Sequence, residues 1–287
     1  MKVLFVSSGN SKNGVSPIIK SQAESLMKQG ISISHYLIRG KGVFGYLKNI
    51  LPIKKIIKKG GYDVIHAHYS MSAFIATFAG SNPLVVSLMG SDVKSDKYFK
   101  IFIKIFKKIS WIKTIVKSED MKKSLKIDDV VVLPNGVDVN FFKNHDRNNA
   151  LKKTSWNPDK RHVLFAANPS RPEKNFKLAK DAMKLLKTPG TELHYLEDVP
   201  HERMPCLLNA ADLVLLTSKY EGSPNVIKEA MACNAPIVST NVGDVGWLLR
   251  GLNGCYVASD SPVDLASAID ASLAFSVESK STKGIDQ

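Results

Sequence analysis

Short apolar runs that end in small or polar residues alternate with helix-like segments along almost the whole chain. The run "KVLFVSS" (2–8) is typical of a buried parallel strand, and "SPIIKSQAESLMKQG" (16–30) has the cap, proline and terminal glycine of a helix. Further strand-like runs lie at 62–70, 83–92, 111–118, 161–170, 211–218 and 235–240. This alternation predicts an α/β fold with parallel, doubly wound sheets.

The length of the chain suggests two such sheets, because 287 residues are long for one ordinary domain and sufficient for two. We predict two facing Rossmann-like domains, residues 1–143 and 144–287. Ligands of open parallel sheets bind beyond the carboxyl ends of the strands. The polar tips of the two sheets are therefore expected to line one cleft between the domains.

The composition excludes several classes of protein. Hydrophobic residues at 44% and charged residues at 23% are typical of a globular chain rather than a disordered one. No apolar run approaches the roughly 18–20 residues of a transmembrane helix, and the N-terminus lacks the cleavage-site pattern of a signal peptide. Cys206, Cys233 and Cys255 show neither paired nor metal-ligand spacing. We expect a cytoplasmic protein with reduced thiols.

The segment from Tyr220 to Thr240 follows a predicted strand and opens a predicted helix. Ser223 can cap this helix, and Pro224 suits its first position. Free backbone amides at a helix start form a binding site for anions. The amides in question belong to Gly222, Ser223, Asn225 and Val226.

Two carboxylates flank this predicted anion site. Glu229, more than one turn into the helix and off its packed face, can accept hydrogen bonds from a diol such as ribose. Glu221 stands just before the helix, where a carboxylate beside a phosphate is unfavourable unless it serves a sugar hydroxyl or a cationic centre. The pattern indicates a nucleotide-sugar site. Alternatively, both glutamates are only favourable charges near a helix start.

A longer stretch, "EGSPNVIKEAMACNAPIVSTNVGDV" (221–245), resembles the Glu-x7-Glu signature of family 4 glycosyltransferases, which are retaining enzymes of the GT-B fold. Other pieces match the family in order at Gly14, 62–70, 90–93, 133–142, 172–175, 210–218 and 251–257. The resemblance implies two facing Rossmann-like domains with an interdomain cleft. It implies that the second domain binds a nucleotide-diphosphate sugar and the first the acceptor, and that transfer retains the anomeric configuration without a metal ion or other cofactor.

The resemblance also implies roles for residues of the second domain. Glu229 would bind the ribose hydroxyls, Glu221 would contact the donor sugar, and the amides after Glu221 would hold the distal phosphate. A basic pair would neutralise the leaving diphosphate, whose charge grows in the transition state. Lys174 matches the family lysine, whereas the family arginine usually stands where this sequence has Pro169. Arg171, two residues later, is the candidate for that role.

The first domain departs from the family pattern at Met89, where many relatives have a histidine. His68, at the tip of a predicted strand, is a candidate for a role in the cleft, or alternatively a packed core histidine beside His66. Asp92 can orient an acceptor hydroxyl or, equally, cap the following helix. The predicted acceptor-side residues are Gly14, His68, Ser91 and Asp92.

The C-terminal segment "SLAFSVESKSTKGIDQ" (272–287) reads as polar and without a long amphipathic helix. Members of the family usually close with a helix that crosses back onto the first domain. We therefore expect either a truncated ending or a compact variant of the family.

The net charge of +14 lies entirely in the first half of the sequence. Residues 1–143 contain 23 Lys and Arg against 9 Asp and Glu, whereas 144–287 contain 17 of each. Two stretches, 39–59 and 94–126, combine lysines with aromatic and aliphatic residues. This pattern favours contact with an anionic membrane surface. The alternatives are a solvated face and a nucleic-acid surface, for which no recognisable motif is present.

Together these features predict a hexosyl- or N-acetylhexosaminyl-transferase that acts on a glycan or lipid-linked glycan, peripheral at the inner face of the membrane. We expect no nucleic-acid partner. Two alternatives stay open: a nucleotide-sugar epimerase of the same fold, and a catalytically degenerate protein that only binds a nucleotide sugar.

Overall fold

The computed structural model divides the chain into two compact units, Met1–Asn135 and Gly136–Gln287. The structure describes residues 1–10, 14–90, 92 and 97–278. The division falls before residue 143, where the sequence suggested the boundary. The reason is that Phe142 packs into the hydrophobic core of the second unit.

Six parallel strands form the sheet of the first unit, in the order β2-β1-β3-β4-β5-β6. The strands are β1 (Lys2–Ser8), β2 (Ser32–Ile38), β3 (Val64–His68), β4 (Leu84–Ser87), β5 (Trp111–Val116) and β6 (Val131–Val132). The helices whose bounds lie within the described residues of this unit are α1 (Pro17–Lys28), α2 (Gly42–Leu47), α3 (Ile50–Gly60), α4 (Ser70–Phe78), α5 (Lys97–Ile109) and α6 (Glu119–Leu125).

Strand β1 shows why this sheet gives continuous apolar runs in the sequence. Leu4 and Val6 are buried in one hydrophobic cluster, and Phe5 between them is buried in another. Ile19 of α1 belongs to the same cluster as Phe5. Because each face of the strand packs into a core, alternation of polar and apolar residues disappears.

Five parallel strands form the sheet of the second unit, in the order β11-β10-β9-β7-β8. The strands are β7 (Arg161–Phe165), β8 (Thr191–Tyr195), β9 (Leu213–Leu216), β10 (Ile237–Thr240) and β11 (Tyr256–Ala258). The helices are α7 (Arg147–Thr154), α8 (Phe176–Met183), α9 (Met204–Ala210), α10 (Asn225–Ala232), α11 (Val245–Leu248) and α12 (Pro262–Glu278), with 3-10 turns at Pro172–Lys174 and His201–Arg203.

Each sheet contains one position where the order of the strands reverses. In the first sheet β1 lies between β2 and β3, and in the second sheet β7 lies between β8 and β9. Ligands of doubly wound sheets bind at such switch points, beyond the carboxyl ends of the strands. The predicted fold class, with two parallel Rossmann-like sheets, is thus confirmed within each unit.

The predicted polar tail is wrong in its first part. Helix α12 continues to Glu278, and Leu273 is buried in the same cluster as Leu265 and Ile269. Residues 279–287 lie outside the described part of the chain, so the expectation for them stays untested. The three cysteines form no disulfide. Within the described ranges, no helix is both long enough and apolar enough to cross a bilayer.

Candidate functional site

The loops that follow β7 and β9 are joined at the switch point of the second sheet. The backbone amide of Lys219 donates to the carbonyl oxygen of Glu173 at 2.9 Å. The hydroxyl of Thr217 donates to the carbonyl oxygen of Lys174, also at 2.9 Å. One donor is the backbone amide of Lys219, and the other is the hydroxyl of Thr217, which is almost fully buried. The two hydrogen bonds therefore hold the two loops in register.

Lys174 and Glu221 form an ion pair across this junction. The Lys174 Nζ lies 2.5 Å from Glu221 Oε1, and the hydroxyl of Ser218 donates to the same oxygen at 2.7 Å. The two charged side chains are only 13% and 16% exposed. An ammonium group has three N–H donors and a carboxylate has two acceptor oxygens. As far as the described residues show, Oε2 is therefore left to accept a hydroxyl, and Lys174 can donate to an anion as well.

Arg171 does not join this pair. Its side chain is 57% exposed and contacts the carboxylate of Glu173, with the Arg171 Nε 2.7 Å from Oε1. The pKa of the Glu173 carboxyl is lowered by a hydrogen bond from the backbone amide of Glu173 and by the contact with Arg171. The slight burial of Glu173 acts in the opposite direction. Arg171 thus lies on the turn that carries Lys174, and its catalytic role stays a prediction.

The helix of the signature begins one residue later than predicted. Pro224 is the N-cap and Asn225 the first residue of α10, so Ser223 does not cap the helix. The hydroxyl of Ser223 instead accepts a hydrogen bond from the Lys228 Nζ at 3.0 Å. Burial lowers the pKa of Lys228, and the negative charges of Asp244 and Glu229 oppose that shift. Lys228, which the sequence analysis did not single out, therefore brings a second cation to the start of α10.

The backbone after β10 packs closely against the backbone that carries Glu221. Gly243 has a φ of +59°, and a Cβ atom there would lie 3.2 Å from the Glu221 carbonyl oxygen and closer than 3.0 Å to that of Gly222. The hydroxyl of Thr240 donates to the carbonyl oxygen of Ser218 at 2.8 Å. Glycine at position 243 is thus required both by the left-handed conformation and by the close approach.

Glu229 is more buried than the sequence suggested. It is 8% exposed, although the helical pattern placed it off the packed face. Its Oε1 lies 3.4 Å from the Nε2 of His201. This contact raises the pKa of His201, and the partial burial of the ring acts against it.

His201 is a site residue that sequence reasoning missed. Its ring stacks on Phe141 at 5.9 Å between centroids and meets the edge of Phe142 at 5.4 Å. Both phenylalanines come from the segment 133–142 that resembles the family. Five predicted donor-site residues lie just before or within α10: Gly222, Ser223, Asn225, Val226 and Glu229. His201, which contacts Glu229, comes from a different loop.

In the first unit, the two histidines of β3 are both buried. The rings of His66 and His68 stack at 4.3 Å, and the Nε2 of His66 lies 2.9 Å from the Ser87 hydroxyl. Burial, followed by the charges of His66 and Lys117, holds the pKa of His68 well below its ordinary value. Among the described residues, neither ring nitrogen of His68 has a hydrogen-bond partner. His68 is thus neutral and buried, with its hydrogen-bonding capacity unused.

The carboxylate of Asp92 joins two elements of the first unit. It accepts hydrogen bonds from the amide and hydroxyl of Ser70 at 3.1 and 2.5 Å, and from the amide of Met89 at 2.6 Å. Burial raises the pKa of Asp92, and these hydrogen bonds oppose that shift. Asp92 therefore binds the start of α4, and its predicted role at the following helix falls on residues 93–96, outside the described part of the chain. Gly14 lies between β1 and α1, and Ser91 lies outside the described residues.

Two family profiles match the chain. The one described as "Glycosyl transferase 4-like" covers residues 6–119, and "Glycosyl transferases group 1" covers 173–274, together more than half of the 287 residues. The second range contains the Lys174–Glu221 pair and the whole of α10. The chain belongs to the group 1 glycosyltransferases.

Two relatives illustrate the range of the family. TuaC of Bacillus subtilis (strain 168), assigned by name to teichuronic acid biosynthesis, is 29% identical to this group 1 glycosyltransferase over an alignment of 234 residues, with coverage of 72% of this chain and 60% of TuaC. A UDP-Gal:alpha-D-GlcNAc-diphosphoundecaprenol alpha-1,3-galactosyltransferase of Escherichia coli is 24% identical over 75% of this chain and 67% of its own length.

Two solved structures are similar to the group 1 chain along almost its whole length. Sucrose-phosphate synthase of Thermosynechococcus elongatus has a TM-score of 0.84 at 15% identity, covering 98% of this chain and 91% of its own. HepE of Anabaena, in complex with UDP-glucose, has a TM-score of 0.70 at 18% identity, covering 98% and 95%. At such identities the likeness shows the fold alone, which is the GT-B fold of glycosyltransferases.

Proposed function

We propose that this chain transfers a hexosyl or N-acetylhexosaminyl residue from a nucleotide-diphosphate sugar to a hydroxyl of a glycan or lipid-linked glycan. In this proposal the anomeric configuration is retained and no metal ion is needed. The observation that carries the proposal is the Lys174–Glu221 ion pair at the switch point, beside the start of α10. The UDP-glucose bound by HepE, and the UDP-Gal donor and lipid-diphosphate acceptor in the name of the E. coli relative, support it.

Each charge at this site has a place in the proposed reaction. The first N–H groups of a helix lack acceptors within the helix and attract anions, so the start of α10 would bind the distal phosphate. Lys174 would donate to the diphosphate while it stays paired with Glu221, and Lys228 would add a second cation nearby. Because leaving-group charge builds up in the transition state, fixed cations there lower the barrier selectively.

The two glutamates would divide the contacts between sugar and ribose. Glu221 Oε2 would accept a hydroxyl of the donor sugar, because Oε1 is already occupied by Lys174 and Ser218. Glu229 would accept the ribose hydroxyls. Its contact with His201 is long, at 3.4 Å, and a bound diol would supply the shorter hydrogen bonds that a buried carboxylate needs.

A thermal-shift panel of UDP-, GDP-, ADP- and TDP-sugars tests donor binding. A donor at about 100 times its dissociation constant should add roughly 2.7 kcal/mol of stability. The Glu229→Gln variant should lose this shift, whereas Glu24→Gln, which alters an exposed glutamate of the first unit, should keep it. Binding of no nucleotide, or an unchanged Glu229→Gln variant, would contradict the donor assignment.

NMR of the donor incubated with acceptor extracts then separates the possible activities. Transfer gives a new glycoside with the anomeric configuration of the donor, at a rate independent of added Mg²⁺ or Mn²⁺. An inverted product would refute retention, and a requirement for added metal would refute the metal-free mechanism. An epimerised donor, or a bound but unchanged one, would favour the epimerase or the inactive binding protein.

We also propose that the first unit contacts an anionic membrane surface. In α2, α3 and α5 apolar side chains remain exposed: Phe44 at 82%, Leu51 at 73% and Ile109 at 67%. In α5, Ile103 and Phe106 pack into the core, whereas Ile109 is exposed. Core packing therefore accounts for only part of the apolar surface of this helix. Lysines flank the exposed residues in the stretches 39–59 and 94–126, as in helices that lie in a bilayer interface.

Sedimentation with vesicles tests this contact. The chain should bind vesicles that contain anionic lipid, with an affinity that falls as salt rises. Phe44→Ser with Leu51→Ser should weaken binding, whereas Val263→Ser, at an apolar position of the second unit that is 62% exposed, should not. Unaltered binding by the double variant, or stronger binding to nucleic acid than to vesicles at the same salt, would contradict the proposal.

A further inference from the structure

Three side chains of the metal-ligand type meet on one face of the second sheet, at its edge strand. His162 of β7 is paired in register with Glu192 of β8. Side chains alternate along a strand, so Glu192 and His194 point to the same face. The metal-ligating atoms of His162, Glu192 and His194 all lie within 4.8 Å of one another.

The distances between these atoms are close to those of a tetrahedral site. The His162 Nδ1 lies 3.0 Å from the His194 Nε2, and the Glu192 Oε2 lies 3.9 and 3.8 Å from these two nitrogens. With metal–ligand bonds of about 2.0–2.1 Å, tetrahedral ligand atoms are about 3.3 Å apart. The two nitrogens would have to separate by about 0.3 Å and the carboxylate approach by about 0.5 Å. Small side-chain rotations achieve both.

A second hydrogen bond fixes the His162 ring for this role. The His162 Nε2 lies 2.8 Å from the carbonyl oxygen of Asn157, which can only accept, so Nε2 carries the proton. The lone pair of Nδ1 therefore points toward His194. Metal-bound histidines commonly have their second nitrogen held in this way. The ring is fully buried, so its orientation is set before any ion arrives.

His194 and Glu192 supply the accessible side of the cluster. The indole of Trp156 stacks on the His194 ring at 3.8 Å between centroids and 14° between planes. The Glu192 side chain is 45% exposed and that of His194 22%, which leaves a path from solvent and room for water as a fourth ligand.

We propose that His162 Nδ1, His194 Nε2 and the Glu192 carboxylate bind one divalent transition-metal ion of the Zn²⁺ type. Two imidazoles and one carboxylate suit Zn²⁺ and its neighbours better than Mg²⁺ or Ca²⁺, which prefer oxygen ligands. When the ion binds, the proton of the His194 Nε2 moves to its Nδ1, and the hydrogen bond between the two rings is replaced by two metal–nitrogen bonds.

This site is separate from the candidate donor site and would serve the fold. His162 and Glu192 are the second residues of β7 and β8, whereas Lys174 and Glu221 follow the carboxyl ends of β7 and β9. The ion would fasten edge strand β8 to β7. The proposal is therefore independent of the glycosyl transfer and of its metal requirement.

Calorimetric titration of the untagged, metal-stripped full chain with Zn²⁺ tests the proposal. We expect one ion per chain, and at least a tenfold loss of affinity in both Glu192→Gln and His194→Gln. These variants change the exposed ligands, so they avoid the folding risk of replacing the buried His162. The control His145→Gln removes an exposed histidine elsewhere in the same unit and should bind as the wild type does.

The fluorescence of Trp156 gives an independent readout. Cu²⁺ bound beside the stacked His194 ring should quench Trp156, and the quenching should be lost in His194→Gln but kept in His145→Gln. Lack of Zn²⁺ binding by the wild type would overturn the proposal. So would an affinity that is the same in wild type, Glu192→Gln and His194→Gln, because the ion would then be bound elsewhere.

Discussion

Gly243 offers a way to displace the candidate site without touching its side chains. A Cβ at this position would lie 3.2 Å from the Glu221 carbonyl oxygen and nearer still to that of Gly222. Contacts between carbon and carbonyl oxygen normally begin at about 3.3 Å. Both neighbours are backbone atoms, so in Gly243→Ala the Glu221–Gly222 segment has to move by a distance on the order of 1 Å.

The cost has two parts that can be measured apart. The left-handed backbone adds about 1–2 kcal/mol of strain for alanine, which lowers the melting temperature by about 2–4 °C per kcal/mol in a chain of this size. A misplacement of about 1 Å in a catalytic group can reduce the rate about a hundredfold. That loss corresponds to about 2.7 kcal/mol of transition-state stabilisation.

Gly251→Ala is the matched control. Gly251 has a similar φ of +76°, but nothing lies within 4 Å of an added Cβ. Both variants should therefore lose stability in a thermal melt, Gly243→Ala more than Gly251→Ala because of its backbone clash, and only Gly243→Ala should lose about two orders of magnitude in kcat/KM with the donor identified by the thermal-shift panel. Full activity in Gly243→Ala at the same melting temperature as Gly251→Ala would refute the reasoning.

Three further predictions concern His201, Asp92 and Lys174. The contact with Glu229 raises the folded-state pKa of His201 above its ordinary 6.5. The contribution of this contact to the free energy of unfolding is fully present below about pH 6.5 and is lost as the pH rises through the raised pKa. The difference in melting temperature between wild type and His201→Asn should therefore shrink with rising pH, and a constant difference would contradict the contact. Asp92→Asn should destabilise the first unit by about 1–3 kcal/mol in denaturant unfolding without changing donor affinity in the second; unchanged stability would refute the capping role. Lys174→Met should lower kcat about 10²–10³-fold and donor affinity much less, whereas equal losses would point to binding alone.

The sequence was a good guide wherever local patterns decide structure. The strands β1 and β9 are apolar because both of their faces are buried, and that pattern is visible in one short run. The end of α10 obeys a local rule of the same kind, since Asn234, just after the helix, adopts the left-handed conformation that asparagine tolerates, with a φ of 57°. The position of Glu221 at a strand tip followed from the same reasoning, whereas Lys174 was identified through the resemblance to the family.

Sequence reasoning failed where contacts join distant segments. His201 precedes α9 and reaches Glu229 from a 3-10 turn, and no local periodicity marks it. Ser223 was misjudged for a local reason, because the helix begins at Asn225 with Pro224 as its N-cap. Asp92 lies close to a predicted helix, but two of its three donors are the amide and hydroxyl of Ser70, which is 22 residues away in the chain. The Glu-x-His spacing of Glu192 and His194 on a strand was the one available local signal for their cluster.

The Lys174–Glu221 pair is better explained by what it can bind than by the stability it provides. Removing two charges from water has a desolvation cost that largely offsets their attraction, and replacing such a pair by apolar residues is often neutral or stabilising. The loops that carry the pair are already joined by the Lys219 amide and the Thr217 hydroxyl. The ion pair is therefore not needed to fix these loops. Its value lies in holding a cation and a carboxylate side by side, each with hydrogen-bonding capacity to spare, at the switch point of the sheet.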